Sequence, residues 1–393
     1  DVQEYPDLRE YPEGPPEQPY DAAGWTLPFL MDVNVVEVRS PLSADARSAL
    51  KPVRGKPTDW RASAHAPFST DSVAAGIVAP AVTVGGSGDR IALDPANTDA
   101  FKVIGQAIAA GGSVRFVPGT GGQSGRYVVS GVATARVEGW VRDQSVRAER
   151  TSLGAASGTA RKRIAIFKPW TASMDEGWTE WLLDQYGFKY AVIAPADVRA
   201  GDLASKYDVI LMASESPRAI MDGFGSGTVP PRYAGGIGDL GAREIDAFVR
   251  AGGTLVCLNQ SASFAIDQLG LPVKNVVAGV QRKDFFASGS ILEVTTNPAQ
   301  QVMAGMPERA KVFVDGSPVF KTLEGFEGAT LATYAPAGSP RLSGYLLGEK
   351  LLNGNAAALD VKHGRGRVVL IGFRPQWRGQ PFGTFRVVFN SLL

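Results

Sequence analysis

The sequence is poor in the residues that usually build redox and metal chemistry. Its 393 residues include one cysteine, Cys257, and two histidines, His65 and His363. A single cysteine excludes a disulfide within the chain and is compatible with a reducing compartment or with a disulfide-free exported protein. A zinc carboxypeptidase site needs two histidines and a glutamate on the metal, and the chain contains no His-x-x-Glu motif. We therefore expect no metal site and no cofactor.

Long apolar runs and an excess of charge of one sign are also missing. The longest apolar segment, residues 368–373, is far shorter than the about 20 residues that span a bilayer, so we predict no membrane span. Lysine and arginine (40) balance aspartate and glutamate (39), and no basic stripe alternates with aromatic residues, so we expect no nucleic-acid partner. The chain opens at Asp1 without a methionine or a signal-like segment, which we interpret as a processed product or part of a longer protein.

What is present is typical of a folded chain with more than one domain: 44% of the residues are apolar and 20% are charged. Residues 1–20 are rich in Pro, Glu and Tyr and predict an extended linker. For residues 21–155 we predict a small α/β domain, with strands near 33–38, 90–93, 113–117 and 126–129 and a helix at 97–110. A short helix ended by Pro28 is expected at its start, and residues 154–161 form the predicted seam.

Residues 160–393 carry the pattern of a parallel sheet with helices on both faces. Short β-rich runs at 163–167, 190–193, 208–213 and 254–258 are separated by helix-length segments. After residue 272 the pattern changes to alternating strands and turns, and a helix is predicted at 383–393. In such sheets a ligand or catalytic site lies at the carboxyl ends of the strands, so we expect the site there.

The first helix of this domain has two local signatures. Ser173 and Glu176 are spaced as a capping box, in which each side chain binds a free backbone N–H of the other residue. Trp178 and Trp181 follow at helical spacing, which predicts that the helix packs its tryptophans on the sheet.

The strand, turn and helix from Thr254 to Ile266 have the shape of a nucleophile elbow. In an enzyme of this architecture the tip is Cys or Ser with a histidine nearby. Here the predicted tip is Gln260, followed by Ser261, which is more typical of a helix cap than of a nucleophile. Cys257 is predicted in the core. The G-x-G-x-x-G match at 236–241 follows a loop rather than a strand, so we interpret it as a lead into a helix and not as a dinucleotide site.

Several polar and aromatic side chains lie near the predicted strand ends. Asp175 and Glu176 are placed to act as acid and base, although acidic residues are favoured in any first helical turn. Glu215 follows a strand, and Arg374 can offer a guanidinium fork to a carboxylate or cap carbonyl groups. We assign no catalytic residue, and the candidate ligand cleft comprises Trp170, Asp175, Glu176, Glu215, Gln260, Ser261, Arg374 and Gln376.

Five segments carry a resemblance to a known family: PYDAAGWTLP (19–28), NTDAF (97–101), SMDEGWT (173–179), GYLLGE (344–349) and GFRPQWRGQ (372–380). They resemble the non-peptidase C-terminal part of large bacterial exported proteins of the zinc carboxypeptidase class, carboxypeptidase A type. The resemblance implies a zinc peptidase domain before Asp1 and a periplasmic or extracellular location. It also implies that the chain from about residue 161 is similar to class I glutamine amidotransferase-like domains, with a flavodoxin-like sheet. Active members of that group carry an elbow cysteine, which this sequence lacks.

The sequence supports three functional hypotheses. We prefer a non-catalytic accessory module that accompanies a zinc peptidase domain of the same parent protein and binds a peptide ligand or supports that domain. One alternative is an amidase or peptidase that uses Ser261 with Glu215 or Asp175. The other is an oligomerisation module in which the terminal helix or the strands after residue 291 form a standard-sized interface.

Overall fold

The computed structural model describes residues 5–9, 11–18, 26–33, 40–49, 82–119, 125–153 and 162–393. Over these residues the chain is a mixed α/β protein with a five-stranded and a twelve-stranded sheet. The strand predicted near 33–38, the seam at 154–161 and His65 lie wholly or mostly outside the described residues.

The smaller sheet has the strand order β1-β5-β2-β4-β3. Its strands are β1 (Gly85–Gly86), β2 (Arg90–Leu93), β3 (Ser113–Val117), β4 (Arg126–Ser130) and β5 (Ala148–Thr151). The helices of this part are α1 (Leu27–Leu30), α2 (Ala44–Ala49), α3 (Ala100–Ala109) and α4 (Thr134–Asp143). The predicted strands at 90–93, 113–117 and 126–129 and the predicted helix at 97–110 are confirmed. The helix forms because the apolar residues of α3 recur at helical spacing and are buried.

One half of the larger sheet is parallel. Its strands are β6 (Ile164–Phe167), β7 (Tyr190–Ile193), β8 (Val209–Met212), β9 (Thr254–Leu258) and β17 (Gly366–Ile371). They lie in the order β7-β6-β8-β9-β17, with every neighbouring pair parallel. The central strands β8 and β9 are apolar at nearly every position because helices cover both of their faces.

The other half is antiparallel and continues from β17 through β16. Its strands are β10 (Val273–Asn275), β11 (Phe286–Thr296), β12 (Arg309–Val314), β13 (Phe320–Thr322), β14 (Gly328–Thr333), β15 (Arg341–Leu347) and β16 (Ala356–His363). Gly364 and Arg365 form the turn between β16 and β17. Short 3-10 turns lie at Gln301–Met303, Glu349–Leu351 and Trp377–Gly379.

Seven helices belong to this larger unit. They are α5 (Met174–Gln185), α6 (Pro195–Arg199), α7 (Leu203–Lys206), α8 (Pro217–Met221), α9 (Gly238–Arg250), α10 (Ser261–Gln268) and α11 (Phe385–Leu392). Helix α9 begins within the glycine-rich segment 236–241, as the interpretation of that segment as a helix lead requires. Within the described residues, no helix is both long enough and apolar enough to cross a membrane.

Helix α11 lies in the interior rather than on the surface. All eight of its residues are buried, and the Phe389 ring contacts the rings of Phe101, Tyr186 and Phe188 at centroid distances of 4.9, 4.5 and 5.2 Å. One continuous apolar cluster therefore includes residues of both sheets. The terminal helix therefore packs inside this chain, and an oligomer interface formed by the strands after residue 291 stays a prediction.

Three local predictions are also wrong. Pro28 lies in the first turn of α1 instead of ending a helix, since a missing N–H costs nothing there. Ser173 precedes α5, but its hydroxyl makes no cap bond and the capping box is not formed. Trp181 is 45% exposed, because Thr179, Leu182 and Leu183 form the face of α5 that packs on the sheet.

Candidate functional site

The site lies where the strand order of the parallel half reverses. From β6 the chain first adds β7 on one side and then β8 on the other. The loops that leave β6 and β8 therefore diverge, and they open a crevice at the carboxyl ends of the strands. Residues 168–173 and 213–216 form these two loops.

This crevice contains a pocket of about 230 Å³, which we call the aromatic cleft. The aromatic cleft is lined by Pro169, Trp170, Thr171, Ser216, Phe224 and Tyr233, among others. The Trp170 and Tyr233 rings meet edge to face at 5.3 Å, and Trp170 remains 48% exposed. An aromatic ring that stays half exposed at a fixed crevice suits an apolar or aromatic ligand group.

The elbow after β9 has Asn259, not Gln260, in its left-handed position. Asn259 has φ = +53° and is buried, and its N–H donates to the Ile371 carbonyl at 2.7 Å. Its side-chain Nδ2 donates to the Ser214 hydroxyl at 3.0 Å and to the Asp315 carbonyl at 3.3 Å. The prediction that Gln260 forms the tip is therefore wrong by one residue, and an amide occupies the strained position, where Asn is tolerated better than most residues.

Ser261 and Cys257 are both in the core. The Ser261 hydroxyl is fully buried, and its one proton is shared between the carbonyls of Met212 and Leu258, whose oxygens lie 3.0 and 2.9 Å from it. Burial raises the pKa of the Cys257 thiol far above its usual range. The pairing of Ser261 with Glu215 or Asp175 that the hydrolase hypothesis requires is not formed, since each of those carboxylates binds another group.

Asp175 and Arg374 form a buried ion pair beneath the crevice. The Arg374 guanidinium binds both carboxylate oxygens of Asp175, with Nε to Oδ1 at 3.0 Å, and its Nη1 donates to Asp315 at 2.6 Å. It also lies 5.7 Å from the centre of the Trp178 ring. Arg374 is thus fully engaged by two carboxylates, so the expectation that it offers a fork to a ligand carboxylate is wrong.

Gln376 and Thr179 support this pair from below. The Gln376 side-chain amide donates to the Thr179 hydroxyl at 3.0 Å, and that hydroxyl donates to the Asp175 carbonyl at 2.7 Å. Both residues are fully buried. Their role is to hold the first turn of α5 against the loop after β17.

Glu215 takes the place that the capping box assigned to Glu176. Its Oε1 accepts the Ser173 N–H at 2.5 Å, and burial raises the pKa of Glu215, with a smaller contribution from the Asp175 charge. Glu215 therefore joins the loop after β8 to the start of α5. The residue is buried behind the aromatic cleft and does not line it.

Glu176 does not line the aromatic cleft. Its carboxylate lies 3.1 Å from the Lys168 ammonium, which also binds Glu180 at 3.1 Å. Burial, followed by the hydrogen bond with Glu180, raises the pKa of Glu176 to about 7. Glu176 thus belongs to a separate acidic pair around Lys168, and the expectation that it works beside Asp175 as acid and base is wrong.

Gln260 lines a different pocket of about 190 Å³ with Ser263, Asn275 and Ser317. His363 lies near the amino-terminal ends of β9 and β17, opposite to the end of β9 that leads into the elbow. Its Nε2 is 2.5 Å from Asp246. Within the described part of the chain, no group of three or more His, Cys, Asp or Glu residues is arranged to hold a metal ion. Of the candidate cleft residues, the structure brings Asp175, Arg374 and Gln376 into contact, and Trp170 alone lines the aromatic cleft.

Sequence reasoning missed Phe224, Tyr233 and Asp315. Phe224 and Tyr233 come from a long loop after α8 that has no periodicity, and only its glycine and proline content marked it as a loop. Asp315 follows an antiparallel strand, and its pairing with Arg374 depends on the order of strands in the sheet. The one available signal was that buried arginines need carboxylate partners.

No family model matches the sequence, and no curated protein matches it. Solved structures give distant likenesses. A cytoplasmic protein from Salmonella typhimurium aligns with a TM-score of 0.38 and 13% identity over 59% of this chain and 97% of that chain. A proposed GMP synthase subunit from Thermoplasma acidophilum aligns with a TM-score of 0.38 and 9% identity over 60% of this chain and 94% of that chain. A ThuA-like protein from Bacteroides uniformis aligns with a TM-score of 0.33 and 12% identity over 61% of this chain and 94% of that chain. Likenesses at this level say nothing about activity.

Proposed function

We propose that this chain is a non-catalytic ligand-binding module whose ligand lies in the aromatic cleft. The observation that carries the proposal is the position of this cleft at the reversal of strand order, the place where open α/β sheets bind ligands. The elbow beside it carries the amide of Asn259, which is tied to Ser214 and Asp315. Neither this amide nor the buried Ser261 hydroxyl is disposed to attack a carbonyl group.

We further propose that residues 162–393 form a flavodoxin-like domain of the class I glutamine amidotransferase-like type. The support is the order of the five parallel strands, β7-β6-β8-β9-β17, which in chain order is 2-1-3-4-5. The antiparallel strands continue the sheet beyond β17. In this proposal Asn259 replaces the elbow cysteine of active members.

As the ligand we propose a peptide with an apolar or aromatic side chain. Such a side chain would lie against Trp170 and Tyr233, and the exposed guanidinium of Arg218 at the rim suits a peptide carboxylate. The resemblance of five segments to exported carboxypeptidase-like proteins supports a parent protein that also carries a zinc peptidase domain. It supports a periplasmic or extracellular location on the same ground.

Peptide binding is tested by screening the chain against an array of short peptides and measuring the best binder by isothermal titration calorimetry. Trp170→Ala and Tyr233→Ala should each weaken binding at least tenfold, because the contact of the peptide side chain with these rings is lost. Trp181→Ala is the matched control: it removes an equally exposed tryptophan on α5, outside the aromatic cleft, and should leave the affinity unchanged.

Catalysis is tested separately by incubating the chain with peptides and with glutamine and analysing the products by mass spectrometry. We expect unchanged substrates. Hydrolysis that disappears in Ser261→Ala, while the variant remains folded, would replace the binding proposal with the hydrolase alternative. If no peptide on the array binds, the peptide assignment is wrong.

A further inference from the structure

A second, larger pocket of about 570 Å³ lies between the smaller sheet and the C-terminal segment. Its walls include Asn97, Thr98, Lys102, Arg147, Tyr186 and Phe382. Tyr186 follows the C-terminal end of α5, whereas the aromatic cleft lies at the N-terminal end of that helix, and twelve helical residues span about 18 Å. The two sites are therefore separate, and a role for the second pocket does not depend on the proposed function.

Behind the wall of this pocket lies a buried arginine without a carboxylate partner. Arg386 is 7% exposed, and its guanidinium donates to the Gly305 carbonyl and, from Nη2, to the Thr98 hydroxyl at 3.4 Å. Its Nε is buried and has no hydrogen-bond partner. Thr98 itself lines the pocket, so the guanidinium edge that bears Nη2 reaches the pocket wall.

The acidic residues that act on Arg386 at longer range already have other partners. Asp32 binds Lys311 at 3.1 Å, and Asp94 lies between Arg126 and Arg147 at 3.6 and 3.5 Å. Burial accordingly lowers the pKa of Arg386. A buried cation that lacks a counter-ion is costly, and native proteins usually pair such a group.

The surroundings of the pocket are positively charged. Four cations (Lys102, Arg126, Arg147 and Arg386) face two carboxylates (Asp94 and Asp99), which leaves a balance of +2. The pocket also lies at the N-terminus of α3, since residues 96–99 lead into that ten-residue helix. The positive end of the helix dipole adds to the attraction for an anion.

From these observations we infer that the pocket binds a small ligand with an oxyanion group, either a phosphate monoester or a carboxylate. The anion would lie against the Thr98 hydroxyl and the Lys102 ammonium, and the charge of Arg386, one hydrogen bond behind Thr98, would attract it. Tyr186 and Phe382 would contact the uncharged part of the ligand, because both rings form the remaining wall of the pocket.

The inference is tested with three probes that share a ring and differ in the charged group: phenyl phosphate, benzoate and the neutral benzyl alcohol. Isothermal titration calorimetry and thermal unfolding should show that at least one anion binds with a millimolar or lower Kd and raises Tm, whereas benzyl alcohol does neither. The anion that binds more tightly identifies the ligand class. In the absence of ligand, Arg386→Met should have a Tm equal to or above that of the wild type, because it removes an unpaired buried charge.

The variants decide whether the anion binds in this pocket. Arg386→Met should weaken the affinity for the anion at least tenfold and Lys102→Gln at least threefold. Arg309→Gln, a change of an exposed arginine on β12 that lines neither pocket, should leave it unchanged. The inference fails if neither anion binds, or if Arg386→Met binds the anion as the wild type does. Should Arg386→Met not fold, unchanged affinity in both Lys102→Gln and Arg147→Gln overturns it.

Discussion

At the scale of single residues, Arg374 is the charge that joins the first turn of α5 to the segment after β12. It is held by Asp175, which is 1% exposed, and by Asp315. Replacing one member of a buried ion pair costs about 3–5 kcal/mol, since the other charge stays buried without a partner. We therefore expect Arg374→Met to lower the free energy of unfolding by about that amount, measured by urea denaturation.

Two comparisons separate this loss of charge from other effects. Arg218→Met removes a highly exposed arginine whose contact with Asp222 is 3.8 Å long, and it should change stability by less than about 0.5 kcal/mol. Combining Arg374→Met with Asp175→Leu should restore more than half of the loss, because the carboxylate that then lacks a partner, Asp315, is 37% exposed and stays hydrated. A loss below about 1 kcal/mol in Arg374→Met alone would show that the pair is not buried as described.

Glu176 makes the stability of the folded chain depend on pH, and the direction of this dependence follows from its pKa shift. Its pKa is raised from 4.5 to about 7 in the folded chain, so between these values the folded state holds a proton that the unfolded state has released. Stability from this group is thus complete below pH 4.5 and is lost as the pH rises through 7. We expect Glu176→Gln to be more stable than the wild type by about 1–3 kcal/mol at pH 8, and this gain to vanish near pH 4.5.

The neighbouring Glu180 is the matched control for this measurement. Its pKa is lowered, through its hydrogen bonds with Glu176 and Lys168 against a desolvation cost, so its contribution has the opposite sign. Glu180→Gln should therefore destabilise the chain at about pH 6, where Glu176 still holds the proton that it donates to Glu180, and less so near pH 4.5. Urea denaturation of Glu176→Gln at about pH 8 and pH 4.5, and of Glu180→Gln at about pH 6 and pH 4.5, decides the point, and a Glu176→Gln effect independent of pH contradicts it.

At the scale of helices and strands, local patterns predicted most elements but not their contacts. The strands at 190–193 and 367–371 and the helix before Gly187 follow from apolar runs bounded by turn residues. The cap at Ser173 could not be predicted, because Glu215, 42 residues away, competes for the same N–H. Likewise, the exposed face of α5 depends on which side the sheet lies, and Trp178 and Trp181 alone do not determine this.

Helix α11 is the element that joins the two sheets, and Phe389 is its central contact. The ring is fully buried among Phe101, Tyr186 and Phe188. Phe389→Ala should cost about 3–5 kcal/mol, the sum of lost burial and a cavity. Leu240→Ala, on the exposed face of α9, should cost less than about 0.5 kcal/mol. Thermal and urea unfolding measure both, and similar losses in the two variants would contradict a central role for Phe389.

At the scale of the whole molecule, the sequence predicts where the candidate site lies but not which residues form it. The rule that ligands bind at the carboxyl ends of parallel strands located the crevice, and Trp170 lies in the loop that follows β6. Arg374 also follows a parallel strand, yet its partner Asp315 comes from the antiparallel half of the sheet. The pairing of Arg374 with Asp315 depends on how the parallel and antiparallel parts of the sheet are arranged in three dimensions, and this arrangement cannot be predicted from the sequence alone.

The shared core also predicts how the chain unfolds. The sequence predicts a small domain at 21–155 and a larger one at 160–393, yet one apolar cluster includes Val129 of β4, Leu211 of β8 and Phe389 of α11. The Tyr127 hydroxyl on β4 donates to Asn390 of α11 at 2.7 Å, and Asn390 donates to the Ala304 carbonyl at 2.9 Å. Separating the sheets would expose this cluster and break these bonds together.

Native-state hydrogen exchange, read by mass spectrometry, tests this coupling. Amides of β4 and β8 should exchange with opening free energies that agree within about 1 kcal/mol, because both open only when the common core does. Helix α2, which has no buried residue, should exchange far faster and serves as the internal reference. If the opening free energy of β4 is more than about 2 kcal/mol below that of β8, the smaller sheet unfolds by itself. Helix α11 then remains packed on the larger sheet and does not couple the unfolding of the two sheets.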